Sequence, residues 1–232
     1  MSLALVDDKS CIILLWLTLS LIDRNNFSTS APFKPDLNTL GGVLDILKSP
    51  VNMVIFSMIK KPVKIYTDGS SSPHEKDPSK QFGGWAIVVV MDDVDYIYYG
   101  RNPAPATNNI AEMSALACAL DISRDMLAKT FTDNEYSIKS LIEWRPKWEA
   151  NGMPVKNREL IRHLWRIYDE RTARVEVKWI KGHAGHHYNE VADEYAKKGK
   201  VGDIKNGKLG RSVYRGFNSP EEFHDFVQRM RS

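Results

Sequence analysis

The strongest constraint on the fold is the order of strand-like and helix-like segments between residues 63 and 200. Apolar runs over residues 63–67, 82–91 and 96–100 predict three strands, and an Asp-Asp turn joins the last two into a hairpin. Helical spacing and strand-like alternation predict further elements over residues 108–120, 130–132, 134–148, 158–168, 175–180 and 189–198. The order β-β-β-α-β-α-α-β-α predicts an α/β domain with a five-stranded mixed sheet flanked by helices.

Composition excludes several classes of protein. The chain has 232 residues, of which 43% are hydrophobic and 26% are charged. These values exclude a largely disordered chain, a collagen-like chain and a multi-span membrane protein. The two cysteines, Cys11 and Cys118, are too few for a disulfide scaffold or a Cys-rich zinc module.

The net charge of +3 hides an uneven distribution. Residues 63–200 are neutral, with twenty basic and twenty acidic side chains. Within them, residues 145–181 hold ten basic and five acidic side chains, a net charge of +5, which leaves −5 for the remainder. The distribution predicts an acidic site beside a basic surface, although solvated helix faces explain most charge runs.

The two ends of the chain differ from this middle part. An apolar run over residues 11–22 is shorter than the roughly 20 residues that a membrane-spanning helix needs. It has the length of a signal-peptide core, but Asp7 and Asp8 precede it where positive charge is expected. We therefore expect residues 1–62 to be an extension that is disordered or serves targeting. For residues 201–232 the sequence predicts a linker. An amphipathic helix that begins at Pro220 is expected to follow it and to pack on the domain.

Four acidic side chains fall at the boundaries of the predicted elements. Asp68 ends the first strand and Asp133 follows the fourth, while Glu112 and Asp193 lie one turn into helices. If the first and fourth strands are parallel neighbours, the two aspartates lie side by side. Each acid alone is typical of a turn or a helix cap. Together they predict an oxygen-rich site for Mg²⁺ or Mn²⁺, because clustered carboxylates need cations to offset their repulsion.

Several short segments together carry a family resemblance. They are residues 66–70 (Tyr-Thr-Asp-Gly-Ser), 107–112 (Thr-Asn-Asn-Ile-Ala-Glu), 132–133 (Thr-Asp), 154–157 (Pro-Val-Lys-Asn), 181–186 (Lys-Gly-His-Ala-Gly-His), 189–190 (Asn-Glu) and Asp193. In order and spacing they resemble type 1 ribonuclease H over residues 63–200. The resemblance implies a ribonuclease H-like fold and a catalytic domain over these residues.

The resemblance also implies a reaction and a set of catalytic residues. The expected activity is endonucleolytic hydrolysis of the RNA strand of RNA–DNA hybrids with two Mg²⁺ ions, for which Mn²⁺ is a substitute. The expected products carry 5′-phosphate and 3′-hydroxyl ends. Asp68, Glu112, Asp133 and Asp193 match the family's metal-binding carboxylates. His183 matches its mobile histidine, which assists proton transfer or product release.

Contacts to the RNA–DNA hybrid follow from the same resemblance. Asn108 and Asn109 match residues that meet the minor groove near the cut, where 2′-hydroxyls distinguish RNA from DNA. Thr107 and Asn157 match polar residues of a DNA phosphate pocket. The residues that match an aromatic channel for the DNA strand are Tyr136, Trp144 and Trp148. Core packing is the alternative role for the two tryptophans, which are four residues apart on a predicted helix.

The chain also departs from the family pattern. The family usually has Asn where His74 stands, and its eukaryotic members often have Arg at the position of Pro105. The loop over residues 149–153 contains no Lys or Arg, whereas many members carry a basic protrusion there. We therefore expect weak or salt-sensitive hybrid binding, aided by Arg145, Lys147, Lys156 and Arg158. Residues 214–226 bear a partial resemblance to a small hybrid-binding module.

Other functions remain open at this level. A hybrid-binding domain without turnover and a ribonuclease H domain descended from a reverse transcriptase are the main alternatives. A zinc cluster of His183, His186 and His187 is a third, although no cysteine accompanies these histidines. We expect a monomer with no stable membrane partner, located in the nucleus or cytoplasm, with mitochondrial or secretory targeting by residues 1–31 left open.

Overall fold

Seven strands in one sheet form the centre of the computed structural model, which describes residues 61–231 apart from Pro73 and Pro154. The strands are β1 (Val63–Ser70), β2 (Gly83–Val90), β3 (Asp95–Asn102), β4 (Ala128–Thr132), β5 (Val175–Trp179), β6 (Asn206–Leu209) and β7 (Ser212–Phe217). Their order across the sheet is β5-β4-β1-β2-β3-β7-β6. Residues 1–60 of the predicted extension over residues 1–62, which include the predicted targeting segment, lie outside the described residues.

Helices cover both faces of this sheet. They are α1 (Asn108–Ile122), α2 (Glu135–Ile138), α3 (Arg145–Ala150), α4 (Arg158–Asp169), α5 (His187–Val201) and α6 (Pro220–Arg231). Side chains alternate between the two faces along a strand, so Trp85 and Ile87 pack with α1 whereas Ala86 and Val88 pack with α5. The mixed α/β architecture expected from the sequence is confirmed. Within the described part of the chain, no helix is long and apolar enough to cross a membrane.

Five strands were predicted, and the sheet has seven. The additional two come from residues 206–217, which were predicted as linker and form a hairpin instead. Gly210, with φ of 58°, makes the turn between β6 and β7. The second strand then pairs in parallel with β3, for example Tyr98 with Arg215. The sequence hid the hairpin because both strands are short, and the buried Phe217 comes only at the end of the second.

The helix predicted over residues 134–148 is also interrupted. After α2, a π-helical turn over Lys139–Glu143 closes with the Trp144 amide donating to the Lys139 carbonyl at 2.8 Å. Pro146 then lies in the first turn of α3. A proline has no N–H to donate to the preceding turn, so regular helical hydrogen bonding cannot run through this point.

The C-terminal helix α6 is fixed by apolar and polar contacts. Phe223 and Val227 are buried in the cluster that contains Trp85 and Phe217. At the end of α1, the buried Asp121 accepts hydrogen bonds from His224 Nδ1 at 2.6 Å and from Arg231 Nη1 at 3.0 Å. The predicted amphipathic helix is therefore present, and it completes the layer of helices on this face.

Removing the central aromatic anchor of α6 tests this packing. Phe223→Ala should lower the free energy of unfolding by about 3–5 kcal/mol, because it leaves a cavity beside Trp85 and Phe217. Met230→Ala is the matched control on the same helix, since Met230 is 54% exposed. Urea denaturation of both variants measures the difference, and equal losses would contradict the proposed anchoring.

Candidate active site

Parallel pairing of β1 with β4 brings two carboxylates together at one edge of the sheet. In this register Thr67 lies beside Thr132. Asp68 and Asp133 each follow the paired threonine by one residue. The sequence predicted this arrangement on condition that the two strands were parallel neighbours, and the condition is met.

Glu112 reaches the same edge from α1. The helix begins after Thr107, whose hydroxyl caps it by accepting a hydrogen bond from the Ile110 amide at 3.4 Å. Gly69 lets the helix approach the strand closely, since a Cβ at this position would overlap the backbone of Glu112. This contact holds the Glu112 side chain over the end of β1.

The three carboxylates converge in a buried cluster. Ligand oxygens of Asp68, Glu112 and Asp133 lie within 4.8 Å of one another, and the residues Asp68 and Glu112 are only 5% and 4% exposed. Burial and the charges of Asp133 and Asp193 raise the pKa of Asp68 to about 8. Burial and the neighbouring Asp68 and Asp133 also raise the pKa of Glu112 well above its ordinary value. The cluster therefore disfavours full ionisation when no cation is bound.

The cluster has the donor set of a divalent-cation site. Among the described residues, Oε2 of Glu112 is buried and has no hydrogen-bond partner, and Oδ1 of Asp68 accepts from the adjacent Gly69 amide at 2.6 Å. Buried polar atoms without partners are rare in folded proteins. Carboxylate oxygens are the ligands that Mg²⁺ and Mn²⁺ prefer, and the open cleft beside them has a volume of about 500 Å³.

Asp133 is held by residues from three other segments. Trp179 Nε1 donates to its carbonyl at 3.0 Å, and the Asn189 side chain donates to its carboxylate. Gly182 passes so close that a Cβ there would overlap the carboxylate of Asp133. Burial raises the pKa of Asp133, while the hydrogen bond from Asn189 and the nearby His183 act in the opposite direction.

Asp193 and His183 line the same cleft but stand apart from the cluster. Asp193, on α5, is not one of the three converging ligands. Its Oδ2 accepts from Lys197 Nζ at 2.6 Å. His183 is exposed on the loop before α5, with φ of 50°. Across the described ranges the three-acid cluster is the one group of three or more candidate metal ligands whose atoms converge, and the imidazoles of His183, His186 and His187 do not form such a group.

The predicted substrate contacts surround this cleft unevenly. Asn108 lines it, while Thr107 and Asn109 are exposed next to it at the start of α1. Asn157, with φ of 60°, lies instead on a separate cavity of about 820 Å³. Pro105 and Arg158 border the same cavity. His74 is exposed.

Tyr136, Trp144 and Trp148 form one aromatic cluster. The ring centroids of Trp144 and Trp148 are 5.2 Å apart, and those of Tyr136 and Trp144 are 5.5 Å apart. All three side chains are half-buried. Tyr136 and Trp148 also pack on the buried cluster around Leu141. Core packing thus accounts for part of each of these two side chains, and the remaining area faces solvent.

The chain matches the RNase H family model over residues 60–201. Ribonuclease H of Paramagnetospirillum magneticum is 35% identical over 148 residues, which are 62% of this chain and 92% of that protein. Ribonuclease H of Wolbachia pipientis wMel is 35% identical over 146 residues, which are 61% of this chain and 97% of that protein. The chain belongs to the ribonuclease H family.

Membership identifies the protein as an enzyme, an endoribonuclease of a metal-dependent family. The solved structure of LC9-RNase H1, a type 1 RNase H with the type 2 active-site motif, matches with a TM-score of 0.52 and 21% identity. The match covers 75% of this chain and 84% of that one, and it shows a shared fold. The predicted family resemblance is therefore confirmed.

Sequence reasoning missed Lys197, a charged residue of the cleft. Lys197 lines the cleft with the carboxylates and pairs with Asp193. The signal was present in the sequence, because an acidic residue followed by a lysine four positions later is the spacing of an ion pair on a helix.

The raised pKa of Asp68 predicts a pH-dependent penalty on stability when no metal is bound. The penalty is absent below pH 3.8, where the carboxyl is protonated in both folded and unfolded chains, and it grows up to about pH 8. In EDTA at pH 8, Asp68→Asn should raise the free energy of unfolding by at least about 1 kcal/mol, because one pKa unit corresponds to about 1.4 kcal/mol. The gain should shrink towards pH 4.

Urea denaturation across this pH range measures the effect. Asp77→Asn is the control, because hydrogen bonds from Ser79 lower the pKa of that exposed carboxyl, so its removal should bring no gain. A less stable Asp68→Asn variant at pH 8 would contradict the electrostatic account.

Proposed function

We propose that this enzyme hydrolyses the RNA strand of RNA–DNA hybrids and leaves 5′-phosphate and 3′-hydroxyl ends. The observation that carries the proposal is the convergence of the Asp68, Glu112 and Asp133 carboxylates in a chain of the ribonuclease H family. A buried cluster of this kind stores repulsion that bound cations offset. The cleft beside it is open to a substrate phosphate.

Four carboxylates would hold the metal. Asp68, Glu112 and Asp133 would form the inner ligand set, and Asp193 would complete it from α5. Mg²⁺ fits these oxygen ligands, with Mn²⁺ as a substitute. When two such ions are bound, they supply an activated water and stabilise the leaving oxygen of a phosphodiester.

We assign proton transfer or product release to His183. Its imidazole is exposed at the mouth of the cleft, and Gly182 brings its loop against Asp133. The ring nitrogens of His183 can take a proton from the reacting groups or give one to them without leaving the cleft.

The surrounding residues would distinguish the RNA strand of the hybrid from its DNA strand. Asn108 and Asn109, at the start of α1, would contact the minor groove beside the cut and detect 2′-hydroxyls. For the DNA strand we propose phosphate contacts by Thr107 and Asn157. The stacking surface for the same strand would be formed by Tyr136, Trp144 and Trp148.

One of the basic side chains expected to aid phosphate binding is already paired with acidic residues. Arg145 was expected to aid binding, but it makes two hydrogen bonds of 2.7 Å to Asp169 and one of 3.0 Å to Glu149. Lys147 and Lys156 are exposed. We therefore retain the proposal of weak, salt-sensitive hybrid binding.

The proposed working form is a monomer without a stable membrane partner. We place it in the nucleus or cytoplasm, with targeting by residues 1–31 as the alternative. N-terminal sequencing of the natural protein tests the targeting alternative, because removal of a leader shortens the chain.

A cleavage assay tests the proposed reaction. With a labelled RNA–DNA hybrid, wild type should cut the RNA strand in Mg²⁺ and should not cut it in EDTA. Asp133→Asn should lower the rate more than about 100-fold, since loss of even an outer partner of a metal ligand costs about 10–100-fold. Asp92→Asn, an exposed turn residue on the hairpin, is the control and should cut normally.

The same assay decides the alternative function. A protein that binds the hybrid but never cuts it would be a binding module. Absence of cutting by wild type, or equal cutting by Asp133→Asn, would overturn the proposed function.

A further inference from the structure

Lys197 places a positive charge at the edge of the carboxylate cluster. It lies on α5 one turn after Asp193, with its Nζ 2.6 Å from Asp193 Oδ2. The Lys197 side chain is 58% exposed and the Asp193 side chain is 19% exposed. Both residues line the cleft that also contains Asp68 and Glu112. The ion pair is therefore part of the wall of the site.

The charge of Lys197 reaches beyond its own partner. It lowers the pKa of Asp68, whereas the charges of Asp133 and Asp193 raise that pKa. A cation bound at the carboxylates would have the same effect on Asp68. In the protein without metal, the ammonium group thus does part of what a bound cation does.

A second ion pair on the same helix has the same spacing and lies outside the cleft. Lys198 Nζ is 2.7 Å from Glu194 Oε1, and its ammonium lies 4.1 Å from the centre of the Tyr195 ring. Neither Lys198 nor Glu194 lines the cleft. The chain thus supplies a matched control one residue away.

We propose that Lys197 is a positioning residue that competes with divalent cations for Asp193. The inference rests on the proposed function, because it takes Asp193 to be a metal ligand. Without metal, the ammonium neutralises Asp193 and orients its carboxylate. A cation that takes Oδ2 of Asp193 as a ligand must displace the ammonium from that oxygen, so Lys197 weakens the last step of metal loading.

Binding of Mn²⁺ in the absence of nucleic acid tests the proposal. Free Mn²⁺ is measured by its electron paramagnetic resonance signal, with the full chain as the binding protein. Lys197→Met keeps the length of the side chain and removes its charge. It should tighten the weakest class of Mn²⁺ binding about two- to fivefold, the fold-change that matches an exposed ion pair. Lys197→Arg should bind like wild type, and Lys198→Met should show no change.

Asp193→Asn separates the possible failures. In that background Lys197→Met should have no further effect, since the competition requires Asp193. If Asp193→Asn alone leaves Mn²⁺ binding unchanged, the ligand assignment of Asp193 fails and the competition fails with it. If Asp193→Asn weakens binding while Lys197→Met leaves it unchanged or weakens it, the proposed function stands and the role of Lys197 is overturned.

Melting temperatures measured in EDTA and again with added Mn²⁺ separate the effect of the substitution on folding from its effect on metal binding. In EDTA, Lys197→Met should melt slightly below wild type, because Asp193 and the cluster lose a counter-charge. Added Mn²⁺ should then raise the melting temperature of Lys197→Met by more than it raises that of wild type. A smaller gain than that of wild type would count against the proposal.

Discussion

Electrostatic repulsion among buried carboxylates is the constraint around which the site is arranged. The backbone imposes it, since β1 and β4 pair in parallel with Thr67 beside Thr132, and an aspartate follows each threonine. Glu112 joins them because Gly69 allows α1 to pack against the end of β1. Isolated charges avoid such surroundings, so the arrangement is informative about function in a way that a surface acidic patch is not.

The rest of the fold keeps these groups in place. Helix α1 is buried along most of its length between the sheet and the outer helices. On the opposite face, α5 carries Asp193 and packs on β2 and β3 through Ala192 and Ala196. The rigid packing of these two helices resists the repulsion, which would otherwise spread the carboxylates apart.

Much of this arrangement could be predicted from the sequence. The apolar strands and the position of each acid at an element boundary could be recognised in the sequence, because strand and helix periodicity are local properties. The mutual placement of Asp68 and Asp133 needed one non-local condition, the parallel pairing of their strands. The spacing of the motifs indicated the ribonuclease H family, whose fold meets this condition.

What could not be predicted depends on longer-range contacts. The β6–β7 hairpin forms against the edge of β3, which is more than a hundred residues away in the sequence, and its short strands carry little local signal. Asp193 stands apart from the three converging acids and pairs with Lys197. The two partners of this ion pair were visible in the sequence, but their position in the cleft was not. The ion pair between Arg145 and Asp169, which engages a side chain expected to aid phosphate binding, is likewise a tertiary contact.

The most direct test of the central claim is anomalous diffraction from crystals of the protein soaked with Mn²⁺. The account predicts an anomalous peak between the carboxylates of Asp68, Glu112 and Asp133, at coordination distance from the now unpaired Oε2 of Glu112. Crystals that contain Mn²⁺ in the solvent but show no peak at these carboxylates would contradict it.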